Sequence, residues 1–386
     1  MADYIDVSER LLSAVKQQDF AGYDPFDSLN SALLKATPFY RSSWIRLAWL
    51  QLGKRSPLNF RPLLLVPKMR NPKGVGLFIL GMLNDYERTG SAVYLEDAVA
   101  LGDWLLGQQC DKSLWKHSCW GYHFDWQARA FYVPAGKPNI ITTVYVARAL
   151  QALAEVTHKD RYAEAAIDAA AFIYNHLLTK TDQRTFFAYI PGETAFVHNA
   201  SLWGAAWVGY VGTAVGNYRY LEVALEVARQ SAREQLGDGS WVYGTRSHHQ
   251  FIDGFHTGYN LEALAMLSQT ADITEFNDCI RSGLNYYRDT FILPDGTVKY
   301  YDNKVYPLDM HSVSQAVLTL IGVGNSPGDE KIATKVLDRA IDRLYISNKS
   351  HFIYQRSKYY SNKINYARWT QAWSYYALSY FNNHRA

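Results

Sequence analysis

Five stretches of this chain repeat one pattern at a near-constant spacing, and that period constrains the fold more than any other feature. They begin at Thr142 (TTVYVARALQAL), Asn199 (NASLWGAAWVGYV), His256 (HTGYNLEALAML), His311 (HSVSQAVLTLIG) and Ala367 (ARWTQAWSYYAL), 55 to 57 residues apart. Each is rich in small and aromatic residues and poor in charge, which predicts a helix buried on most sides. A second kind of helix follows it, as at Arg161 to Tyr174, Tyr220 to Ala232 and Thr274 to Tyr287. There apolar residues recur at i, i+3 and i+4 with charges between them, so one face meets water. Between each pair and the next lies an aromatic segment with Gly, Asp or Asn turns, at 119–126, 184–193, 238–244, 295–306 and 351–360. Alternation and turn chemistry predict short two-stranded loops there.

The unit is an inner helix, an outer helix and an aromatic loop. Gly74 to Tyr86 followed by Leu95 to Gln108 adds one more pair upstream, and helices at 6–17 and 38–52 are expected to close the ring. Units of this kind bury a core only when stacked on their neighbours. The expected fold is all-α: an (α/α)6-type toroid of six or seven inner and outer hairpins, one domain over residues 1–386, with the aromatic loops at one mouth. An open superhelix of helical pairs is the alternative, but its units run to about 34 to 47 residues and lack aromatic loops.

Composition narrows the function. Hydrophobic residues make up 48% and charged residues 19%, enough for a large core. The net charge is +3, with Lys and Arg read as scattered among Asp and Glu, which argues against nucleic acid. Cys110, Cys119 and Cys279 form no even framework and no C-x-x-C, so neither a disulfide scaffold nor a zinc site is expected, and no cofactor is. The opening MADYIDVSERLLSAVKQQ lacks the apolar core of a secretory signal. No apolar run nears the roughly 20 residues of a membrane span, so a cytoplasmic location is expected. The oligomeric state is left open.

With this architecture the chain resembles the six-hairpin glycosidase-like superfamily. The resemblance covers nearly the whole length and rests on inner helices, outer helices and aromatic loops at one mouth. GYDPFDSLNS at 22–31 is also similar to the opening of uncharacterised toroid proteins associated with bacterial surface polysaccharide synthesis. Other toroid users fit less well. Terpene-cyclase-like proteins carry QxxDGSW segments, and Gln235 to Trp241 is nearly one, but a D-x-D-D acid motif is absent. Sugar 2-epimerases work through paired histidines, which His256 and His311 keep in view.

Inner-helix N-termini should converge on the mouth, so polar residues there are the candidates. Asp253 with His256, and Asp309 with His311, lie at two adjacent helix starts. Glycosidic hydrolysis needs one carboxyl group to protonate the leaving oxygen and another to activate water or attack. A histidine beside either can tune it or move a proton near neutral pH. Capping of the helix is the structural role that Asp takes at the same position. Asp125, among aromatics, is the reserve acid, with Arg129 as its alternative ion-pair partner. Glu193 is a further acid, expected to be solvated.

Substrate-binding candidates are Trp120, Tyr122, His198, Asn199, Trp241, Asn260, Gln315, Arg368, Trp369 and Gln371. Aromatic faces stack on sugars, and the Arg368 or Arg246 fork would hold a uronic carboxylate. The expected function is a carbohydrate-active enzyme acting on an oligosaccharide or polysaccharide, foremost a glycoside hydrolase with Asp253 and Asp309 as the acid/base pair. An epimerase or lyase using His256, His311 and a tyrosine, and a non-catalytic glycan-binding protein, are the other readings.

Overall fold

The computed structural model of the chain describes residues 3–127 and 132–386. After α1 (Tyr4–Lys16) come a short turn α2 (Ala32–Lys35) and α3 (Ser43–Arg55). Then α4 (Pro72–Thr89) and α5 (Ala92–Leu106) form a hairpin, and a turn α6 (Lys112–Trp115) follows. Further hairpins are α7 (Ile140–Thr157) with α8 (Asp160–Phe172), α9 (His198–Ala214) with α10 (Tyr218–Arg233), and α11 (Gly254–Ala271) with α12 (Asn277–Phe291). The last are α13 (Met310–Thr319) with α14 (Pro327–Leu344), and α15 (Trp373–His384), which a wider turn at Ala367–Ala372 opens.

Helices α4, α7, α9, α11, α13 and α15 form the inner ring, each packed on the next and α15 back on α4. The outer helices α5, α8, α10, α12 and α14 pack on their partners, and α1 supplies the sixth by packing on α15. Val7, Leu11, Leu12 and Val15 bury the inward stripe of α1 in the main core. Each such side chain contributes about 1.5–3 kcal/mol on burial. The Tyr4 hydroxyl reaches across the seam to Asp338 of α14 at 2.7 Å. The ring therefore has six hairpins, not seven.

The inner helices start where their caps dictate. Asn71, Asn139, Asp253 and Asp309 each accept backbone N–H bonds from the first turn of α4, α7, α11 and α13. Gly90, His158 and Asp272 end α4, α7 and α11 in the left-handed region. Inner helices sit close where side chains are small. A Cβ on Gly258 of α11 would lie 2.7 Å from Gln315 and Thr319 of α13, so only glycine allows that approach.

Two expectations need correction. The segment 38–52 does not close the ring: Pro38–Arg41 is a 3-10 turn, and α3, capped by Ser42, lies over the mouth against Asp27–Asn30 and β1. Its sequence is apolar around much of the helix, which suits a lid more than an outer helix with one charged face. The aromatic loops are also only partly strands. β1 (Trp126–Gln127) pairs β2 (Tyr132–Val133), and β3 (Leu178–Lys180) pairs β4 (Thr185–Phe187). β5 (Leu308–Asp309), β8 (Gln355–Arg356) and β9 (Ser361–Asn362) form a three-stranded sheet, and β6 (Tyr345–Ile346) pairs β7 (His351–Phe352). Segments 238–244 and 295–306 make only isolated bridges, including Val197 with Gly244 and Asp253 with Tyr301. There Asp238 and Asp295 fold the chain onto Ser240 and Thr297 instead, as Asx-type turns do. Among the described residues no helix is long and apolar enough to cross a membrane.

Candidate functional site

A cavity of about 530 Å³ opens at the end of the ring where the inner helices begin. All six contribute to it: Lys73 from α4, Ile141 from α7, Asn199 from α9, His256 and Tyr259 from α11, His311 from α13 and Trp369 before α15. The aromatic loops add Tyr122, Tyr189, Tyr243 and Tyr300, and α3 covers one side with Leu47, Leu50 and Lys54. The repeat thus gathers its helix starts and its loops at one mouth.

Asp253 and His256 form a dyad on its wall. Asp253 Oδ1 accepts the His256 backbone N–H at 2.9 Å, and Oδ2 meets His256 Nδ1 at 2.8 Å. The carboxylate caps the helix and orients the imidazole together, so capping and the proposed chemistry are not alternatives here. The ring of His256 lies against Phe255 and Tyr243, at 4.0 and 4.5 Å between centroids, which fixes its plane.

His311 stacks on the same Phe255 ring, 4.6 Å between centroids. Its Nε2 is 2.8 Å from the Tyr259 hydroxyl, and that hydroxyl is 3.2 Å from the Lys73 ammonium nitrogen. Burial, reinforced by Lys73 and Arg368, drives the His311 pKa well below its usual value, so the ring is neutral. Burial likewise raises Tyr259 and lowers Lys73 well away from their ordinary values. Lys73 sits 4.4 to 5.2 Å from the Tyr145, Tyr259 and Trp373 ring centroids, so aromatic faces take the place of a counter-ion.

Asp309 does not face the cavity. It is fully buried behind Trp369 and accepts from Gln355 at 2.7 Å, from the Trp369 indole at 3.3 Å and from the His311 backbone at 2.9 Å. Burial raises its pKa to about 6 against those donors. The expected Asp253–Asp309 pair is thereby replaced. The carboxylates lining the cavity are Asp253 and Glu193. Glu193 is not a solvated loop acid: it accepts from Arg246 at 2.7 Å and from the Thr194 and Ala195 backbone at 2.8 Å.

Asp125 also lies outside the cavity. Burial alone would raise its pKa, but donation from Tyr40, from Ala135 at 2.8 Å and from Lys35 at 2.9 Å holds it below the ordinary value. That is the opposite of a poised general acid. Its expected partner Arg129 lies outside the described residues.

The binding candidates divide. Tyr122, Asn199, Arg368 and Trp369 line the cavity. The buried Asn199 Oδ1 has no partner among the described residues and is left for a ligand to satisfy. Arg368 is not a free fork for a substrate carboxylate, because Asp24 takes its Nε and Nη2 at 2.6 and 2.8 Å. Trp120 and Trp241 are core residues whose indoles donate to Leu105 and Ser231 carbonyls. His198 meets Ser231 at 3.2 Å and is lowered to about 4 by burial. Gln371 clamps both backbone groups of Phe352, at 3.0 and 2.7 Å. Gln315 donates to Glu262 between α11 and α13, and Asn260 faces away from the cavity among buried side chains. Apart from Asn260, whose buried Oδ1 has no hydrogen-bond partner among the described residues, these polar groups are bonded inside the fold where a lining role was expected.

Lys73, Tyr259, Glu193 and Lys54 make up what sequence reasoning missed or undervalued. Lys73 is the second residue of α4, so the rule that picked the other helix starts would have found it. Tyr259 lies one turn beyond His256, and choosing Asn260 in its place is an error of one residue, or about 100° of helix. Lys54 is half-buried, sits 4.7 Å over the Phe26 ring and makes no ion pair among the described residues. It is visible only once α3 is placed as a lid.

No protein-family model and no curated protein sequence matches the chain. Solved structures do. A heparin-specific unsaturated glucuronyl hydrolase superposes with a TM-score of 0.65 at 11% identity, covering 99% of this chain and 95% of the other. The unsaturated glucuronyl hydrolase of Bacillus sp. GL1, described as responsible for glycosaminoglycan degradation, gives 0.63 at 14%, covering 97% and 94%. Cellobiose 2-epimerase from Bacillus thermoamylovorans gives 0.59 at 10%, covering 81% and 88%. At such identities the likeness is one of fold, the six-hairpin α/α toroid.

Proposed function

We propose that the chain is a carbohydrate-processing enzyme of the glycoside hydrolase kind, with Asp253, His256 and Glu193 as its acid/base groups. The observation that carries this is the Asp253–His256 dyad set in an aromatic-walled cavity at the helix starts of the ring. Asp253 holds Nδ1 of His256 and leaves Nε2 to exchange a proton with the glycosidic oxygen. Glu193 supplies the second carboxylate that hydrolysis requires. Tyr122, Tyr243 and Trp369 offer faces for sugar rings. The similar fold of two glucuronyl hydrolases and a sugar epimerase supports a sugar substrate. The likeness at 22–31 makes bacterial surface polysaccharide fragments the glycans to try first.

The cations for an acidic sugar would be Lys54 and its neighbour Arg55 on the lid, since Arg368 and Arg246 are paired with Asp24 and Glu193 and the Lys73 ammonium is enclosed by the Tyr145, Tyr259 and Trp373 rings. Lys54→Met is expected to raise KM for carboxylated oligosaccharides about tenfold and to leave neutral ones unchanged, the loss of one charge-assisted contact. Equal effects on both would remove this role.

Release of reducing ends from an oligosaccharide panel tests the main reading. Asp253→Asn and Glu193→Gln should each abolish it in a folded protein; full turnover in both would end the proposal. A second reading, epimerisation, draws on the two histidines that pack on Phe255. Deuterium entering recovered sugar from D2O without cleavage would establish it in place of hydrolysis. Binding with neither product would mark a glycan-binding protein.

A further inference from the structure

Residues 28–84 hold nine Lys and Arg and no Asp or Glu, although the whole chain is only +3, so the remainder is net acidic. The basic residues are therefore not scattered evenly, as a reading of the whole composition suggests. This stretch contains α3 and the flanking turns that cover the mouth. It also carries an unusual share of exposed large apolar side chains: Trp44 is 80% and Leu63 75% exposed, with Phe39, Leu52, Leu58 and Leu65 also open to solvent. Trp44, Ala48 and Leu52 form one outward stripe of α3 at i, i+4 and i+8, while Leu47, Leu50 and Lys54 face the cavity.

The β8–β9 hairpin lies beside this module, where Asn362 donates to the Ser56 carbonyl at 2.9 Å. Its tip adds Lys358, Tyr359 at 86% exposure and Tyr360. Some of the cations are spent internally: Arg61 on Asp27, Arg70 on Asp19, Lys35 on Asp125. Arg41 and Lys68 are exposed and make no ion pair among the described residues, while Arg55, also exposed, borders the cavity.

We propose that this face docks on an anionic lipid bilayer. Exposed Leu and Phe beside Trp and Tyr, on segments that carry Lys and Arg but no acid of their own, match an interfacial surface in both polarity and charge. A second copy of the chain fits less well. Two-fold pairing sets a patch on itself and would bring these like charges together. Because α3 carries both the outward stripe and part of the cavity wall, docking would hold the site beside the membrane surface, where an amphiphilic glycan would be presented.

Co-sedimentation of the full chain with phosphatidylcholine vesicles, with and without phosphatidylglycerol, tests this. Binding is expected only to the anionic vesicles and should weaken as salt is raised. Trp44→Ser with Leu63→Ser should reduce partitioning at least tenfold. Arg41→Gln and Lys68→Gln should each reduce it roughly fivefold, the effect of one cation near an anionic surface. All four side chains are on the surface, and thermal melts will show whether the variants fold. Failure of the wild type to bind anionic vesicles at low salt overturns the proposal. So does light scattering that shows a dimer dissolved by Trp44→Ser, which would assign the face to a second copy. Vesicle binding that survives in every variant would place it elsewhere.

Discussion

The starts of α11 and α13 carry nearly the same sequence signal and do different things. In both, an Asp caps the helix and a His follows within the first turn. In α11 the spacing is three residues and the imidazole reaches back to the carboxylate, giving a dyad on the cavity wall. In α13 the spacing is two. One residue of helix turns the side chain by about 100°, and His311 points to Tyr259 while Asp309 is left to Gln355 and Trp369. A single step in register separates a candidate proton-transfer pair from a structural carboxylate and a buried neutral ring.

The comparison breaks first on turnover. Asp253→Asn should lower kcat by about 10²–10⁴, the range for loss of general acid–base help, whereas Asp309→Asn should keep turnover per folded molecule within about tenfold. Equal losses in both would erase the distinction. Stability should show the reverse order. Asp309→Ala strands several buried donors, each costing about 1–3 kcal/mol, and urea titration should find it well below Asp253→Ala.

The pH dependence sharpens the point. Asp309 sits at about 6 in the fold against an ordinary 3.8. Its folded state therefore holds a proton that the unfolded chain releases, so its contribution is fully present below 3.8 and lost as pH rises through 6. Asp309→Asn, which mimics the protonated form, should cost more stability near pH 4 than near pH 7; a pH-independent difference would contradict the raised pKa. The smallest effect is at Tyr259→Phe. It removes the hydroxyl shared by His311 and Lys73 and should lower stability by about 1–2 kcal/mol, seen as a drop in Tm.

The ring was legible because its signal is a period, and a period survives uncertainty at any one residue. Five of the six inner helices start within two residues of the positions read from the repeat, and α15 is entered through the wider turn that begins at the expected Ala367, since caps and small residues mark these starts locally. Depth was not legible. Gln371, Gln315 and His198 look like lining groups in sequence because they are polar on buried helices, yet each has its partner inside the protein. Arg368 read as a free fork because its acid, Asp24, lies at the other end of the chain. Within GYDPFDSLNS, Asp24 and Asp27 hold Arg368 and Arg61, so that segment braces the wall of the site. The lid was misplaced for a related reason: α3 has helical periodicity, but nothing in it states which helix it covers.

Ring closure by α1 carries a consequence for how the chain is made. In the ring, α1 precedes every inner helix in the chain yet is the outer partner of α15, and its buried stripe has no seat until α15 is made. Residues 4–16 must wait through the synthesis of every other hairpin, with Leu11 and its neighbours uncovered or in a borrowed contact. The packing of α1 on α15 is thus a late join of the ring, and a natural place for a chaperone to act.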